Sequence, residues 1–388
     1  PERIFGERYP KSVPRDQRRS IPPRYATELQ TVMNALNDMQ QDEIAWDCGS
    51  TGIGQLIGDS LMFQRGDPAK SDEDMGHLYG LALPLLKRGM PVAPLQLENV
   101  TVSGYLDGFK VLLLSYQGMK PLTPDVHGPL TDWVKQGGVL AFCDDDSDPY
   151  LAVRDWWNQD GNDYDTPRRH LFEQMGGEAA AATNRAAFAG AEAWAVGRGH
   201  LLWLPRTPAE LAQAADGDAP AVALFKQAAG LAGVPWKETN YLVLRRGPYV
   251  VAAGLDESVS GAPKILRGRF VNLFDPDLRV RREVRLEPDS RYLLRDLDAA
   301  DGGPGPKVLA SACRSLARPG DHPSWAVEGV PGPPGIALLR MPHKPGAVTL
   351  DGEAVDAVEY DADHQLLWVR FENEATPRAL TVSPAPAP

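Results

Sequence analysis

Cysteine is nearly absent from this chain. Cys48, Cys143 and Cys313 lie far apart and form no CxxC pair. That argues against a disulfide framework or a thiolate zinc site, and reduced thiols favour a cytoplasmic compartment. No apolar run approaches the roughly 18–20 residues that a membrane span needs. Positive charge is also in deficit: 40 Lys and Arg stand against 52 Asp and Glu, a net charge of −12. The basic surface that a nucleic-acid backbone requires is therefore missing, and an anionic membrane surface is disfavoured too. The seven histidines fall in no HxH or HExxH pattern, Ser60 has no GxSxG context, and no internal repeat is present. These absences remove the commonest metalloenzyme and serine-hydrolase readings. The chain begins at Pro1 without Met or a signal-like apolar segment, as a processed product or a piece of something longer does.

What is present points to a globular protein. The 388 residues, 43% hydrophobic and 24% charged, fit two or three domains. Residues 107–150 are the most informative. The apolar run Val111–Leu114 leads into a loop with Gly118 and Pro121, then a helical pattern from Pro124 to Lys135. Gly137 and Gly138 end it, and a second apolar run, Val139–Phe142, ends in Asp144, Asp145, Asp146 and Asp148. This is strand, helix, strand with short connections, the unit of a parallel sheet. Continuous rather than alternating apolar runs predict helices on both faces.

The rest of the chain can be placed around that unit. Residues 1–25 form a Pro- and Arg-rich arm, and residues 26–40 carry Leu29, Val32, Met33, Leu36 and Met39 at helical spacing. GIGQLIGDS, ending at Asp59, reads as the first buried strand. A loop over 61–75 follows, then a helix over GHLYGLALPLLKRG with a start signal at Ser71 and Asp74 and a stop at Gly89. PVAPLQLENV is a second strand. GRGHLLWLPR at 197–206 and AVALFKQAAGLAG at 221–233 read as a later strand and a closing helix. From residue 241 short strand candidates alternate with Gly, Pro and Asp turns, which predicts an antiparallel sandwich over 241–382, with 383–388 as a flexible tail. The expected α/β domain spans 26–240.

Ligands of parallel sheets collect at the carboxyl ends of the strands. Asp59, Glu98, Asp144, Asp145, Asp146 and Asp148 all fall there. Such acids can bind Ca²⁺ or Mg²⁺ through oxygen, or act as acid and base on a glycosidic bond. In the enzymatic reading, Asp59 pairs with Asp144 or Asp145. Asp is also common in such loops simply because it caps turns. Trp156 and Trp157, with Tyr150 and Tyr164 nearby, suit stacking on a sugar, or anchor the core instead. Arg65, beside Gln64, and Tyr116 complete the candidate substrate-binding set with Glu98 and Asp148. Cys143 ends a strand where a glutamine amidotransferase holds its thiolate. It has no flanking glycine, and its acidic neighbours raise its pKa, although His170 or His200 could approach it.

The order GIGQLIGDSLMFQRG, YGLALPLLKRGMPV and YLDGFKVLLLSYQGMKPLTPDVHGPLTDWVKQGGVLAF resembles the amidotransferase-like, or β-galactosidase trimerisation, domain of family 42 glycoside hydrolases. The resemblance covers about residues 26–235. It implies a flavodoxin-like sheet of the class I glutamine-amidotransferase type, followed by a β-sandwich. It also implies homo-oligomer contacts, a trimer in that family, and a carbohydrate ligand. In the family a (β/α)₈ barrel comes first and carries the catalytic glutamates. The 25 residues ahead of residue 26 in this sequence do not hold that barrel, so no catalytic glutamate is carried over, and the chain is expected to be either the C-terminal part of a longer or split glycosidase or a free-standing relative. The implied role is a non-catalytic oligomerisation and substrate-rim module without a cofactor. A free-standing hydrolase using the rim acids and a purely structural assembly protein are the alternatives.

Overall fold

A computed structural model describes residues 14, 23–39, 44–62, 75–176, 186–188, 191–213, 215, 218–299, 303 and 305–385. Gln64, Arg65, Ser71 and Asp74, most of the predicted arm and the last three residues lie outside them. The chain divides into two compact units. One takes the described residues within 48–242 and 255–262; the other takes those within 1–47, 243–254 and 263–388.

The chain enters through helix α1 (Pro23–Asp38) and strand β1 (Ile44–Trp46). The first unit is then built on seven strands: β2 (Ile53–Ile57), β3 (Ala93–Gln96), β4 (Val111–Leu114), β5 (Val139–Cys143), β6 (Ala186–Phe188), β7 (Ala191–Val196) and β8 (Gly199–Leu204). They form one sheet in the order β3-β2-β4-β5-β8-β7-β6. Strands β3, β2, β4, β5 and β8 are parallel, whereas β7 runs antiparallel to β8 and β6 to β7. The sheet is thus mixed, and the expectation of a purely parallel one needs this correction. AEAWAV, the sequence of β7, is Ala-rich and interrupted by Glu192, a weaker strand signal than the continuous apolar runs of β4 and β5.

Helices cover both faces, as the apolar runs of β4 and β5 require. Leu130 and Val134 of helix His127–Lys135, with Leu171 and Phe172 of helix Pro167–Gln174, pack on one face with Leu112, Leu114, Leu140 and Phe142. Leu81 and Leu85 of helix Gly76–Leu86, with Leu224 and Phe225 of helix Asp218–Leu231, pack on the other with Val111, Leu113, Val139 and Cys143. Gly80 allows helix Gly76–Leu86 to approach backbone closely: a Cβ there would lie 1.8 Å from the Pro208 carbonyl oxygen. Strand β3, the edge, carries Pro94 and stops after four residues, consistent with Pro at sheet edges.

The second unit contains three sheets. Strands β9 (Tyr241–Arg246), β10 (Tyr249–Gly254), β11 (Lys264–Asn272), β12 (Val280–Leu286) and β13 (Arg291–Asp296) join β1 in a six-stranded sheet ordered β1-β9-β10-β13-β11-β12. Strands β14 (Lys307–Ser311), β15 (Arg314–Arg318), β16 (Ser324–Glu328), β17 (Pro334–Arg340), β18 (Pro345–Leu350), β19 (Glu353–Ala354), β20 (Val358–Asp361), β21 (Leu366–Glu372) and β22 (Arg378–Pro384) make a sandwich. Its sheets are β14-β17-β21-β20 and β15-β16-β22-β18-β19. The four-stranded sheet is covered twice. Ala337, Leu339, Leu367 and Val369 meet the five-stranded sheet, while Ile336, Leu338, Leu366 and Trp368 pack with Tyr249, Val271, Leu273 and Ala35 of α1. An α/β unit and a β-sandwich are therefore present, with a further sheet within the predicted sandwich region. Helix α1 belongs with that β-rich core rather than with the α/β unit. Asp38 at its end meets Arg295 Nη1 at 2.6 Å, and Arg295 is fully buried.

Candidate functional site

The parallel strands of the α/β unit end along one rim. Segments after β2, β3 and β5 carry every described acid that the sequence singles out. Two groups result. Asp59 and Glu98 meet through Gln96, whose Nε2 donates to Asp59 Oδ1 at 2.7 Å and to Glu98 Oε2 at 2.5 Å. Asp59 is exposed, and its backbone N–H donates to Glu98 Oε1 at 3.2 Å.

The second group gathers the loops after β4 and β5. Asp144 is 3% exposed and accepts from Tyr116 N–H at 3.1 Å, Gln117 Nε2 at 2.8 Å and Asp146 N–H at 2.8 Å. Burial nevertheless pushes its carboxyl up to about 6. Gln117 Nε2 also donates to Asp145 Oδ1 at 2.9 Å. Asp148 caps the following turn, accepting from Tyr150 N–H at 2.8 Å, and accepts from Gly118 N–H as well. Gly118 has φ 70°, a left-handed conformation that suits glycine and aims this N–H at the carboxylate. Lys120 Nζ lies 3.1 Å from Asp148 Oδ2, with side chains only 3% and 1% exposed. The ammonium also donates to the Tyr116 carbonyl at 2.6 Å. Desolvation lowers its pKa against the pull of Asp148. Arg168 grips Asp146 with Nε and Nη2, and its guanidinium lies 4.4 Å from the Trp203 ring centre. Asp144, Asp145 and Asp148 therefore tie the two loops together, and Asp146 ties its loop to helix Pro167–Gln174.

Sheet order reverses between β2 and β4, where a ligand crevice is expected in such folds. Here the crevice is filled. Gly58 N–H meets Met119 Sδ at 3.0 Å, and Ser60 Oγ bonds both the N–H and the carbonyl of Lys120, at 2.7 and 2.6 Å. The space left beside Met119 is about 10 Å³, near the smallest volume that holds one water molecule.

Cys143 sits at the end of β5, fully buried. Desolvation and Asp144 push its thiol well up. Because successive strand residues face opposite sides, Cys143 points into the layer with Leu81 and Phe225, while Phe142 points toward the His170 layer. His200 pairs with Val139 at the far end of β5, whereas Leu204 is opposite Cys143. The expectation that His170 or His200 could approach the thiol is therefore corrected: one lies on the wrong face and the other about four residues down the sheet.

Sequence reading placed Tyr116 among the binding residues but missed its partners. Tyr116 OH lies 2.7 Å from His127 Nε2, and His127 Nδ1 lies 2.7 Å from His170 Nδ1. The phenol is fully buried, which keeps it protonated, so it donates to Nε2. His127 then carries its proton on Nδ1 and donates to His170. Burial lowers His127 to about 3, so it stays neutral near pH 7. Trp156 stands edge-on to both imidazoles, and its Nε1 donates to the Pro121 carbonyl at 2.8 Å. Tyr164 stacks edge-on against His170. Trp157, 2% exposed, offers no open face, and Tyr150 is buried too. Lys120, Arg168, Gln96 and Gln117 carry no motif signal; only adjacency of the strand ends could have found them. Among the described residues, no three His, Cys, Asp or Glu side chains converge as a metal ion requires.

No family model and no curated protein matches the chain. Among solved structures it is similar to β-galactosidase from Bacillus circulans sp. alkalophilus, at 11% identity over 64% of this chain and 42% of that one, TM-score 0.35. It is also similar to the polyextremophilic β-galactosidase of the Antarctic haloarchaeon Halorubrum lacusprofundi, at 15% identity over 68% and 42%, TM-score 0.37. A rhamnosidase from Novosphingobium sp. PP1Y matches at 11% identity over 87% and 35%, TM-score 0.28. The chain spans less than half the length of each of these three proteins.

Proposed function

We propose that this chain is a non-catalytic oligomerisation and substrate-rim module of a glycoside-hydrolase-like protein acting on carbohydrate. The observation that carries the reading is the state of the β5 strand end. A thiol that is buried, pushed up and turned away from both candidate histidines is no nucleophile. The acids around it fasten loops, which leaves them a structural task. The parallel order β3-β2-β4-β5-β8 matches the second-first-third-fourth-fifth order of flavodoxin-like sheets and supports that assignment. Leu122 and Val153, on rim loops that meet through Trp156 and Pro121, are 57% and 39% exposed. Apolar side chains at that edge favour contact with another subunit.

Sedimentation equilibrium of the full chain tests the assembly half of this reading. Self-association over a micromolar range is expected, with Leu122→Asp and Val153→Asp weakening it at least tenfold. A strict monomer with no affinity for any glycan contradicts it.

A second reading, a free-standing hydrolase, draws on one observation. Asp144 is pushed up to about 6 while Asp59 is exposed, and two carboxyls in unlike environments are the usual acid–base arrangement.

A further inference from the structure

The β-rich unit holds a cleft that the rim does not explain. It lies between the start of β12 and the β20–β21 hairpin and encloses about 510 Å³, within the usual size of small-ligand sites. Three guanidiniums line it, from Arg279, Arg282 and Arg370, and three carboxylates, from Asp277, Glu359 and Asp361. Two of the three carboxylates, Asp277 and Asp361, are satisfied. Asp361 accepts from His364 Nδ1 at 2.7 Å, a contact that holds its carboxyl below the ordinary value. Asp277 pairs with Arg279 at 3.2 Å and stands 3.6 Å from Arg370. Arg282 differs. Among the described residues its one side-chain hydrogen-bond partner is His364 Nε2, at 2.9 Å; it forms no direct ion pair, and Asp298 acts on it only through space. Because the Nδ1–H of His364 donates to Asp361, Nε2 is an acceptor and takes one Arg282 N–H without neutralising its charge, which is offset only through space by Asp298, itself paired with Arg269.

We propose that this cleft binds a sugar carrying a carboxylate, a uronic acid or the end of a uronic-acid polymer. The Arg282 fork takes the carboxylate, since planar bidentate pairing is what a guanidinium offers over an ammonium. Glu359, only 4.0 Å from Arg370 Nη1 and 71% exposed, keeps oxygen free to accept sugar hydroxyls. Trp368 and Val280 add apolar lining for the C–H face of the ring. The carboxylate requirement rests on Arg282 alone; the sugar portion rests on the carbohydrate reading above.

The test is calorimetric titration of the full chain with glucuronate, glucose and acetate. Saturable glucuronate binding is expected, at least tenfold tighter than for glucose or acetate. Arg282→Ala should weaken it at least tenfold with an unchanged melting temperature, whereas Arg267→Ala, on β11 outside the cleft, should leave it intact. Equal binding of acetate and glucuronate would overturn the sugar assignment. Equal binding of glucose would overturn the carboxylate assignment. No saturable glucuronate binding, or full affinity in Arg282→Ala, would overturn the site altogether. Failure of self-association leaves all of these readouts untouched.

Discussion

Replacing Lys120 with Met should destabilise the α/β unit by about 3–5 kcal/mol, the usual cost of removing one partner of a buried ion pair. Asp148 would be left as a charge 1% exposed, its second oxygen deprived of the ammonium 3.1 Å away. For a unit of this size that corresponds to a fall of roughly 6–20 °C in melting temperature. The Tyr116 carbonyl, which accepts from Lys120 Nζ at 2.6 Å, loses its partner in the same step. Adding Asp148→Asn to Lys120→Met should recover a large part of the loss. An amide costs less to bury than a carboxylate, and its oxygen can still cap Tyr150 N–H. Thermal or urea unfolding of the two variants checks this. A loss below about 1 kcal/mol for Lys120→Met would mean that the pair does not hold the rim together.

The second large effect is a pH dependence written into Asp144. Its carboxyl moves from the ordinary 3.8 to about 6, chiefly through desolvation. A raised value means that the folded state holds the proton more tightly than the unfolded chain does. The stabilising contribution is therefore complete below about pH 3.8 and is lost as pH rises through about 6. A displacement of that size corresponds to about 3 kcal/mol. Other acids titrate over the same range, so the quantity to follow is the difference between wild type and Asp144→Asn. Wild type should lose about 2 kcal/mol relative to the variant between pH 4 and 7, the rest of the contribution lying below pH 4. Urea unfolding at pH steps across that interval measures it. A flat difference, or wild type gaining stability as pH rises, would show that Lys120 and the loop N–H groups stabilise the charged carboxylate more than burial penalises it.

Much of the α/β unit is legible in sequence because its physics is local. Val111–Leu114 and Val139–Cys143 are apolar at every position, and both faces of each strand are covered. That one property implies parallel neighbours and flanking helices, and it brings the strand-end acids to one rim. Helix α1 shows where the inference stops. Its spacing specifies a helix, yet Leu29, Met33 and Leu36 are 40%, 50% and 52% exposed, while Thr31, Ala35 and Met39 are buried. Periodicity identifies an apolar stripe but not which face the tertiary structure uses. The third sheet of the second unit was hidden for a related reason. IALL of β17 and LLWV of β21 are continuous runs in antiparallel strands, a sign of cover on both sides that a two-sheet sandwich does not need on its outer faces.

The candidate site divides in the same way. Acids at strand ends are visible because sheet geometry dictates where strand ends go. Whether an acid is a catalyst or a fastener depends on partners far away in sequence. Lys120 and Asp148 are 28 residues apart, and Asp146 and Arg168 are separated by 22. The His127–His170 contact spans 43 residues and arises only because two helices pack on the same face. None of these pairs forms a local pattern.

The most direct measurement of the non-catalytic account is glycoside hydrolysis by the full chain and by the Asp59→Asn/Asp145→Asn variant, with melting temperatures recorded alongside. These two acids are the rim carboxylates with least to hold together, so their loss should shift stability little. The account predicts no turnover of aryl glycosides above buffer in either protein, and melting temperatures that agree closely. Turnover by the native chain that disappears in the variant, with the melting temperature unchanged, would contradict it and make the rim an active site.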